Sequence, residues 1–247
     1  MARYGVVILS IIMIAATAVL AGACGMQPGG TQQQEVGKMH EESKSVDLKN
    51  AQSARAQLKM GAGELNVTGG ADQLMEADFS YNVSEWKPKV SYDVSGQKGE
   101  LVVKQGGTEG VHLDADGRNE WDIRLNDEVP TDLVVKMGAG ESDLDLDSLT
   151  LTGVDLQMGA GKTTVDLTGD YAKSFDASIQ GGVGEATVFL PSEVGVKAKA
   201  EGGLGKINAK GLKKVGDSYV NDAYGESDVN LSVDVKGGVG EINLKGV

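Results

Sequence analysis

Three stretches of this 247-residue chain carry residue types that could do chemistry. Gly159-Ala-Gly-Lys-Thr163 ends like a phosphate-binding loop. The full pattern needs a glycine five residues before Gly161, where Leu156 stands. It also needs a helix whose N-terminal amides face the phosphate, whereas Thr163–Leu167 alternates as a strand does. The densest polar cluster is His112-Leu-Asp-Ala-Asp-Gly-Arg-Asn-Glu-Trp-Asp122. Asp114, Asp116 and Glu120 offer hard oxygen ligands for calcium, but Arg118 takes the fifth position of such a loop and no acid the twelfth. The cluster reads as an acidic, solvated loop. Asp143 and Asp145 form one of several acidic pairs. Polysaccharide cleavage needs two carboxylates spaced across a cleft, usually with basic groups and aromatic sugar platforms beside them. No segment gathers all of these. No catalytic residue, metal ligand or cofactor is expected; a glycan-active enzyme ranks third among the readings below.

The remaining reactive residue is Cys24, the only cysteine. One positive charge, Arg3, precedes an apolar run from Val6 to Leu20, which is short for a membrane span and fits a secretory signal. Leu20-Ala-Gly-Ala-Cys24 resembles the lipobox of bacterial lipoproteins, with Ala21 where that family more often has Leu. The resemblance implies cleavage after Ala23 (signal peptide 1–23) and lipid on Cys24. Two or three acyl chains at ~0.8 kcal/mol per buried CH₂ anchor firmly where one does not. The expected location is extracytoplasmic, on a membrane held through Cys24. Gly25, not Asp, follows Cys24, which in a Gram-negative host argues against inner-membrane retention. With that thiol modified, no disulfide or thiolate ligand remains to brace the fold.

Formal charge is −13. Removing Arg3 leaves 22 basic against 36 acidic residues, or −14. Such a surface repels nucleic acid and anionic head groups, so nucleic-acid binding is excluded. Residues 24–41 comprise Cys24 and a Gly/Gln-rich stretch without hydrophobic period. About 17 residues of flexible tether span roughly 20–25 Å, with His40 as a solvated linker residue.

Beyond the tether, one pattern recurs six times: Met60-Gly-Ala-Gly-Glu64, Met137-Gly-Ala-Gly-Glu141, Met158-Gly-Ala-Gly-Lys162, Gly181-Gly-Val-Gly-Glu185, Gly202-Gly-Leu-Gly-Lys206 and Gly237-Gly-Val-Gly-Glu241. From the second copy the spacings are 21, 23, 21 and 35, the last with room for an insertion at Gly211–Asp228. Apolar residues alternate around each copy, as Leu133, Val135, Met137 and then Leu144, Leu146 do. Period two marks strands with one buried face. A 21-residue unit cannot bury that face alone, whereas coils stacked about 4.7–4.9 Å apart complete one another's core. The paired glycines Gly61/Gly63, Gly138/Gly140, Gly159/Gly161, Gly182/Gly184, Gly203/Gly205 and Gly238/Gly240 are expected to supply positive φ at the corners. The apolar residue between each pair is expected to point inward and stack in a column. An antiparallel sandwich with glycine hairpins would explain the alternation, but not the recurrence of a whole turn.

A second column follows the turns: Glu64, Glu141, Lys162, Glu185, Lys206, Glu241. If coils stack in chain order, opposite charges face each other from Glu141 onward, each pair worth about 0.2–1 kcal/mol. The final coil would then be an open edge at the C-terminus. It is read either as a pairing surface for a second copy or a partner's strand, or as an edge kept monomeric by Lys236, Glu241 and Lys245.

These residues resemble a known family. KMGAGELNVTGGADQLMEADFSYN, WKPKVSYD, GELVVKQ and NEWDIRLNDEVPTDLVVKMGAGESDLDLDSLTLTGVDLQMGAGKTTVDL are similar to the toast-rack N-terminal domain over about Ser45–Gly169. GGLGKINAKG and GGVGEINLKG are similar to adhesin-type domains named for their Gly-Ile-Asn signature. The resemblance implies an all-β, right-handed parallel β-solenoid of roughly eight coils, with a toast-rack-like region at 42–170 and adhesin-like coils at 171–247. It further implies a non-catalytic, lipid-anchored role in binding or scaffolding at the cell envelope, toward an unspecified surface ligand. The second reading, through distant similarity to LiaF-like regulators of cell-wall stress, is an accessory protein acting on a membrane-protein partner.

Overall fold

The computed structural model describes residues 36–107 and 117–247. Cys24, the signal at 1–23 and most of the tether lie outside the described residues, as do His112, Asp114 and Asp116. The described residues belong to one compact unit running from Gln33 to Val247. Among them, no helix is long and apolar enough to cross a membrane.

The strands, in chain order, are β1 His40–Val46, β2 Ser53–Thr68, β3 Met75–Tyr81, β4 Lys89–Ser95, β5 Lys98–Lys104, β6 Asn119–Leu125, β7 Thr131–Asp145, β8 Leu151–Asp166, β9 Phe175–Leu190, β10 Gly195–Lys210, β11 Lys213–Val215, β12 Ser218–Val220 and β13 Asn230–Gly246. All join one sheet. Six of them (β2, β7, β8, β9, β13 and β10) are long, parallel and in register, and each carries one copy of the glycine motif at its middle. The fold is the all-β parallel solenoid expected from the 21-residue recurrence.

Registration explains the core. Before the motif, Leu58, Val135, Leu156, Ile179, Val235 and Ala200 pair in sequence across the six strands. After it, Val67, Leu144, Val165, Val188, Leu244 and Ala209 do the same. Burying each larger aliphatic side chain stabilises by about 1.5–3 kcal/mol, so two continuous columns can hold a fold that lacks cross-links.

The spatial order departs from chain order at one place. β13 lies between β9 and β10, pairing with both, so the last strand of the chain is interior. The physical reason is bulk. β13 brings Leu231, Val233, Val235, Ile242 and Leu244 to the core, all buried, whereas β10 buries only Val196 and Ala198, with Ala200 and Ala209 half-buried and Ile207 exposed. The more apolar strand gains more from two neighbours. The expected insertion makes this crossing possible: it forms the β11–β12 hairpin, which pairs with β10 at Lys197–Lys199. Asn221 locks the hairpin's exit by donating to the Pro191 and Val194 carbonyls at 2.9 and 2.7 Å and accepting from Val196 N–H. The open edge expected at the C-terminus is therefore absent; the outermost long strand is β10.

Shorter strands cover the opposite end, with β1 and β4 as its edges. β5 and β6 cover the two halves of β2, with β4 on β5 and β3 and β1 beyond β6. Between the two halves, buried Gln105 accepts from the Gly61 N–H at 2.8 Å, while buried Asn119 donates to the Ala62 carbonyl at 2.9 Å and accepts from the Trp121 indole N–H. This plug satisfies backbone groups at the first corner that would otherwise be buried unpaired. Trp86 and Trp121 are both buried, as packing residues should be. Ordered pairing begins earlier than the tether expectation allowed. The Gly37 N–H donates to the Asn82 carbonyl at 2.7 Å, and His40 opens β1 stacked 5.3 Å from Tyr81.

Candidate functional site

The corner glycines do two different jobs. Gly63, Gly140, Gly161, Gly184, Gly205 and Gly240 have φ between 125° and 146°, which side chains disfavour. Gly61, Gly138, Gly159, Gly182, Gly203 and Gly238 do not have positive φ. At the last five of these, a Cβ would come under 3.0 Å from a glycine carbonyl on the neighbouring strand. Close approach, not φ, selects glycine there. The expectation of positive φ thus holds for the second glycine of each pair only.

Three columns meet at the corner. The residues before the first glycine run, in spatial order, Met60, Met137, Met158, Gly181, Gly237, Gly202. Those two positions after the second glycine run Leu65, Ser142, Thr163, Ala186, Ile242, Ile207. In the first three coils the buried methionines fill the corner, and Thr163 Oγ1 donates to Met158 Sδ at 3.1 Å. In the last two, isoleucine takes over: Ile242 Cδ1 lies 3.3 Å from where a Cβ on Gly237 would be, and Ile207 Cδ1 lies 3.7 Å from that of Gly202. The fourth coil has neither filler. Gly181 and Ala186 are both small, and a cavity of about 190 Å³ opens there, walled by Leu156, Met158, Ile179 and Ile242 and running on past the Gly237 and Gly202 corners.

The mid-turn residues do stack as a column: Ala62, Ala139, Ala160, Val183, Val239, Leu204. They do not all point into the core as expected. Val183, Val239 and Leu204 are 57%, 48% and 73% exposed and form the lip of the cavity. The switch from Ala to larger apolar residues coincides with the loss of Met beneath.

On the strand face beside the corner lies a row of like charge. Lys89, Lys104, Lys59 and Lys136 pair directly across β4, β5, β2 and β7. Gln157 and Gln180 continue the row on β8 and β9. Lys59, Lys104, Lys136 and both glutamines border a shallow groove of about 610 Å³. No ion pair engages any of the four lysines among the described residues; the nearby pairs are Arg55–Asp132 and Lys87–Glu42. Like charges directly opposite one another on adjacent strands destabilise a sheet. In a chain of net charge −13, four stacked lysines are therefore a feature that folding does not require.

The sequence-derived candidates are dispersed. Lys162 lies in the charge column, and Thr163 continues β8 as a strand, so the phosphate-loop lookalike has no helix behind it. Asp143 and Asp145 sit on the exposed face of β7. Among the described residues, no group of three or more His, Cys, Asp or Glu could hold a metal ion. Asp147, beside Asp145 and Asp166, has its carboxyl pushed up, by desolvation first and by those two charges after it. Sequence reasoning missed both the lysine row and the hollow corner. The residues were visible, but their neighbours depend on register.

A family match and one solved structure agree with this architecture. The family described as the N-terminal domain of toast_rack, DUF2154, matches residues 35–189. A solved structure of a candidate cell adhesion protein from Clostridium sporogenes ATCC 15579 is 40% identical, with TM-score 0.83, covering 85% of this chain and all of that one (100%). A candidate adhesin from Parabacteroides merdae ATCC 43184 is 11% identical with TM-score 0.28, over 85% of this chain and 97% of its own. One from Bacteroides fragilis NCTC 9343 is 11% identical with TM-score 0.30, over 84% and 97%. No curated protein matches. On the extent of the family match and the 40% identical structure, this chain belongs to the toast-rack N-terminal domain family.

Proposed function

We propose that this protein is a non-catalytic, lipid-anchored adhesion module that binds an anionic polymer of the cell envelope along the lysine row. The row is the observation that carries the reading. One lysine per strand gives a cation about every 4.7–4.9 Å, a spacing that suits repeating phosphate or carboxylate groups. The net negative charge of the rest of the surface discourages non-specific association, so attraction is confined to this groove. The similarity to a candidate cell adhesion protein supports the same role. Anchoring through Cys24 would place the groove at the envelope surface.

The test compares wild type with Lys59→Gln/Lys104→Gln/Lys136→Gln in co-sedimentation with isolated envelopes before and after their anionic polymers are extracted. Wild type should lose binding on extraction and the variant should lack it from the start. Equal binding by both proteins would remove the lysine row from the account. Capture of one membrane protein by the triple variant as well as wild type would favour the stress-accessory reading.

A further inference from the structure

We infer that the hollow corner of the fourth coil is a binding site for an unbranched alkyl chain, supplied by an envelope lipid. Nothing in this site depends on the lysine row. The six corners are built alike: Met60, Met137 and Met158 fill the first three, buried Ile242 packs against the Gly237 corner, and Ile207 lies beside Gly202 at the edge, still 37% exposed. At Gly181 and Ala186 both fillers are missing, and the space persists as a cavity of about 190 Å³. An apolar cavity of ~150 Å³ can take up benzene, so this one has room for a ligand group. The shape of that group is set by the fold itself. The neighbouring corner of the same geometry is occupied by Met158, an unbranched, flexible side chain entering along the coil.

The entrance supports a ligand that continues outward. Val183, Val239 and Leu204 stand at the mouth with about half or more of their surface exposed, at a site where earlier coils carry alanine. Lys206 and Lys236 line the rim with Glu185 and Glu241, so the rim selects neither a cationic nor an anionic head strongly. An apolar chain lying across the lip and ending in the cavity would cover the exposed valines and leucine and replace the missing methionine.

The substitution that fills the site is permitted by the backbone. A Cβ on Gly181 meets nothing nearer than the Lys236 carbonyl at 3.9 Å, and its φ is not in the left-handed region. Gly181→Met restores the filler of the preceding coils, and Ala186→Ile restores that of the following ones. The folded unit from residue 36 onward is suitable for the test, because it lies within one compact unit that spans the whole of its 40% identical relative.

The experiment follows the methyl signal of Met158 by NMR while 1-decanol, sodium decanoate or 1-adamantanol is added. The two alcohols have equal carbon number and different shape. Saturable shifts with decanol and decanoate, at least tenfold weaker with adamantanol, and lost in both Gly181→Met and Ala186→Ile, are expected. Should one variant fail to fold, the other still decides. Equal response to adamantanol, or undiminished decanol binding in a folded filled variant, would overturn the assignment. In the full-length protein, decanol binding that appears only after Cys24→Ser would reassign the site to the chain's own acyl group and overturn the envelope-lipid occupant.

Discussion

Glu185 and Glu241 lie directly opposite each other on β9 and β13, a like-charge pair created by the crossing of the last two coils. The spatial column is Glu120, Glu64, Glu141, Lys162, Glu185, Glu241, Lys206, so sign alternation holds only from Glu141 to Glu185 and again at the end. The pair is tolerated because amides serve it. Asn243 Nδ2 donates to Glu185 Oε1 at 3.0 Å, and Asn208 Nδ2 donates to Glu241 Oε1 at 2.6 Å. Asn208 also donates to Asn243 Oδ1 at 2.9 Å, which makes a short ladder of the two asparagines of the Gly-Ile-Asn repeats.

Asn243→Ala should therefore destabilise by about 1.5 kcal/mol, the low end for hydrogen bonds to charged groups because the site is partly exposed. The loss should shrink when Glu185→Gln is added, since the uncompensated repulsion goes with it. Denaturant melts of the single and double variants measure this coupling.

Lys162→Glu would place six carboxylates in an unbroken column from Glu120 to Glu241. It should cost about 0.5–1.5 kcal/mol at low salt, and less as screening increases. Lys206→Glu has a single acidic neighbour, Glu241, and should cost less than Lys162→Glu. Melting curves at two ionic strengths give the order; the reverse order would contradict β10 as the outermost long strand.

Gly184→Ala combines left-handed φ with a Cβ forced under 3.0 Å from the Gly161 carbonyl. Its cost should exceed about 3 kcal/mol, in the tail reserved for backbone conflict. Gly216→Ala, also at positive φ but with open space around it, should cost about 1 kcal/mol. Thermal unfolding of the two variants separates steric collision from φ strain.

The raised carboxyl of Asp147 gives a pH signature. A carboxyl whose pKa is higher folded than unfolded binds more protons in the folded state, so its ionisation lowers stability as pH rises through that range. Asp147→Asn should raise the melting temperature at neutral pH, and the gain should disappear below the carboxylate range, where wild type is protonated as well. A constant gain across pH would assign the effect to packing instead.

Much of the architecture was legible in the chain. Period-two alternation located the strands, and six glycine motifs located the corners, because both signals are local. The order of β13 and β10 was not, since identical Gly-Gly-X-Gly corners fit either neighbour; the greater bulk of Leu231, Val233, Val235, Ile242 and Leu244 was the available clue. The inward expectation for Val183, Leu204 and Val239 failed because apolar type alone does not say which side of a bend a residue occupies. The Gln105–Asn119 plug joins residues fourteen apart through a corner neither belongs to, and no local pattern announces it. The exchange of Met60, Met137 and Met158 for Gly181, Gly202 and Gly237 was written in the motifs, yet its consequence needed the matching change from Thr163 to Ala186.

The central claim is that stacking places Lys104, Lys59 and Lys136 in one anion-binding row, and titration of a purified poly(glycerol phosphate) into the folded unit tests it most directly. Wild type should bind with an affinity that falls steeply with salt, while Lys59→Gln, at the centre of the row, should weaken binding about tenfold or more and flatten that salt dependence. Equal affinity and equal salt dependence for wild type and Lys59→Gln would contradict the account.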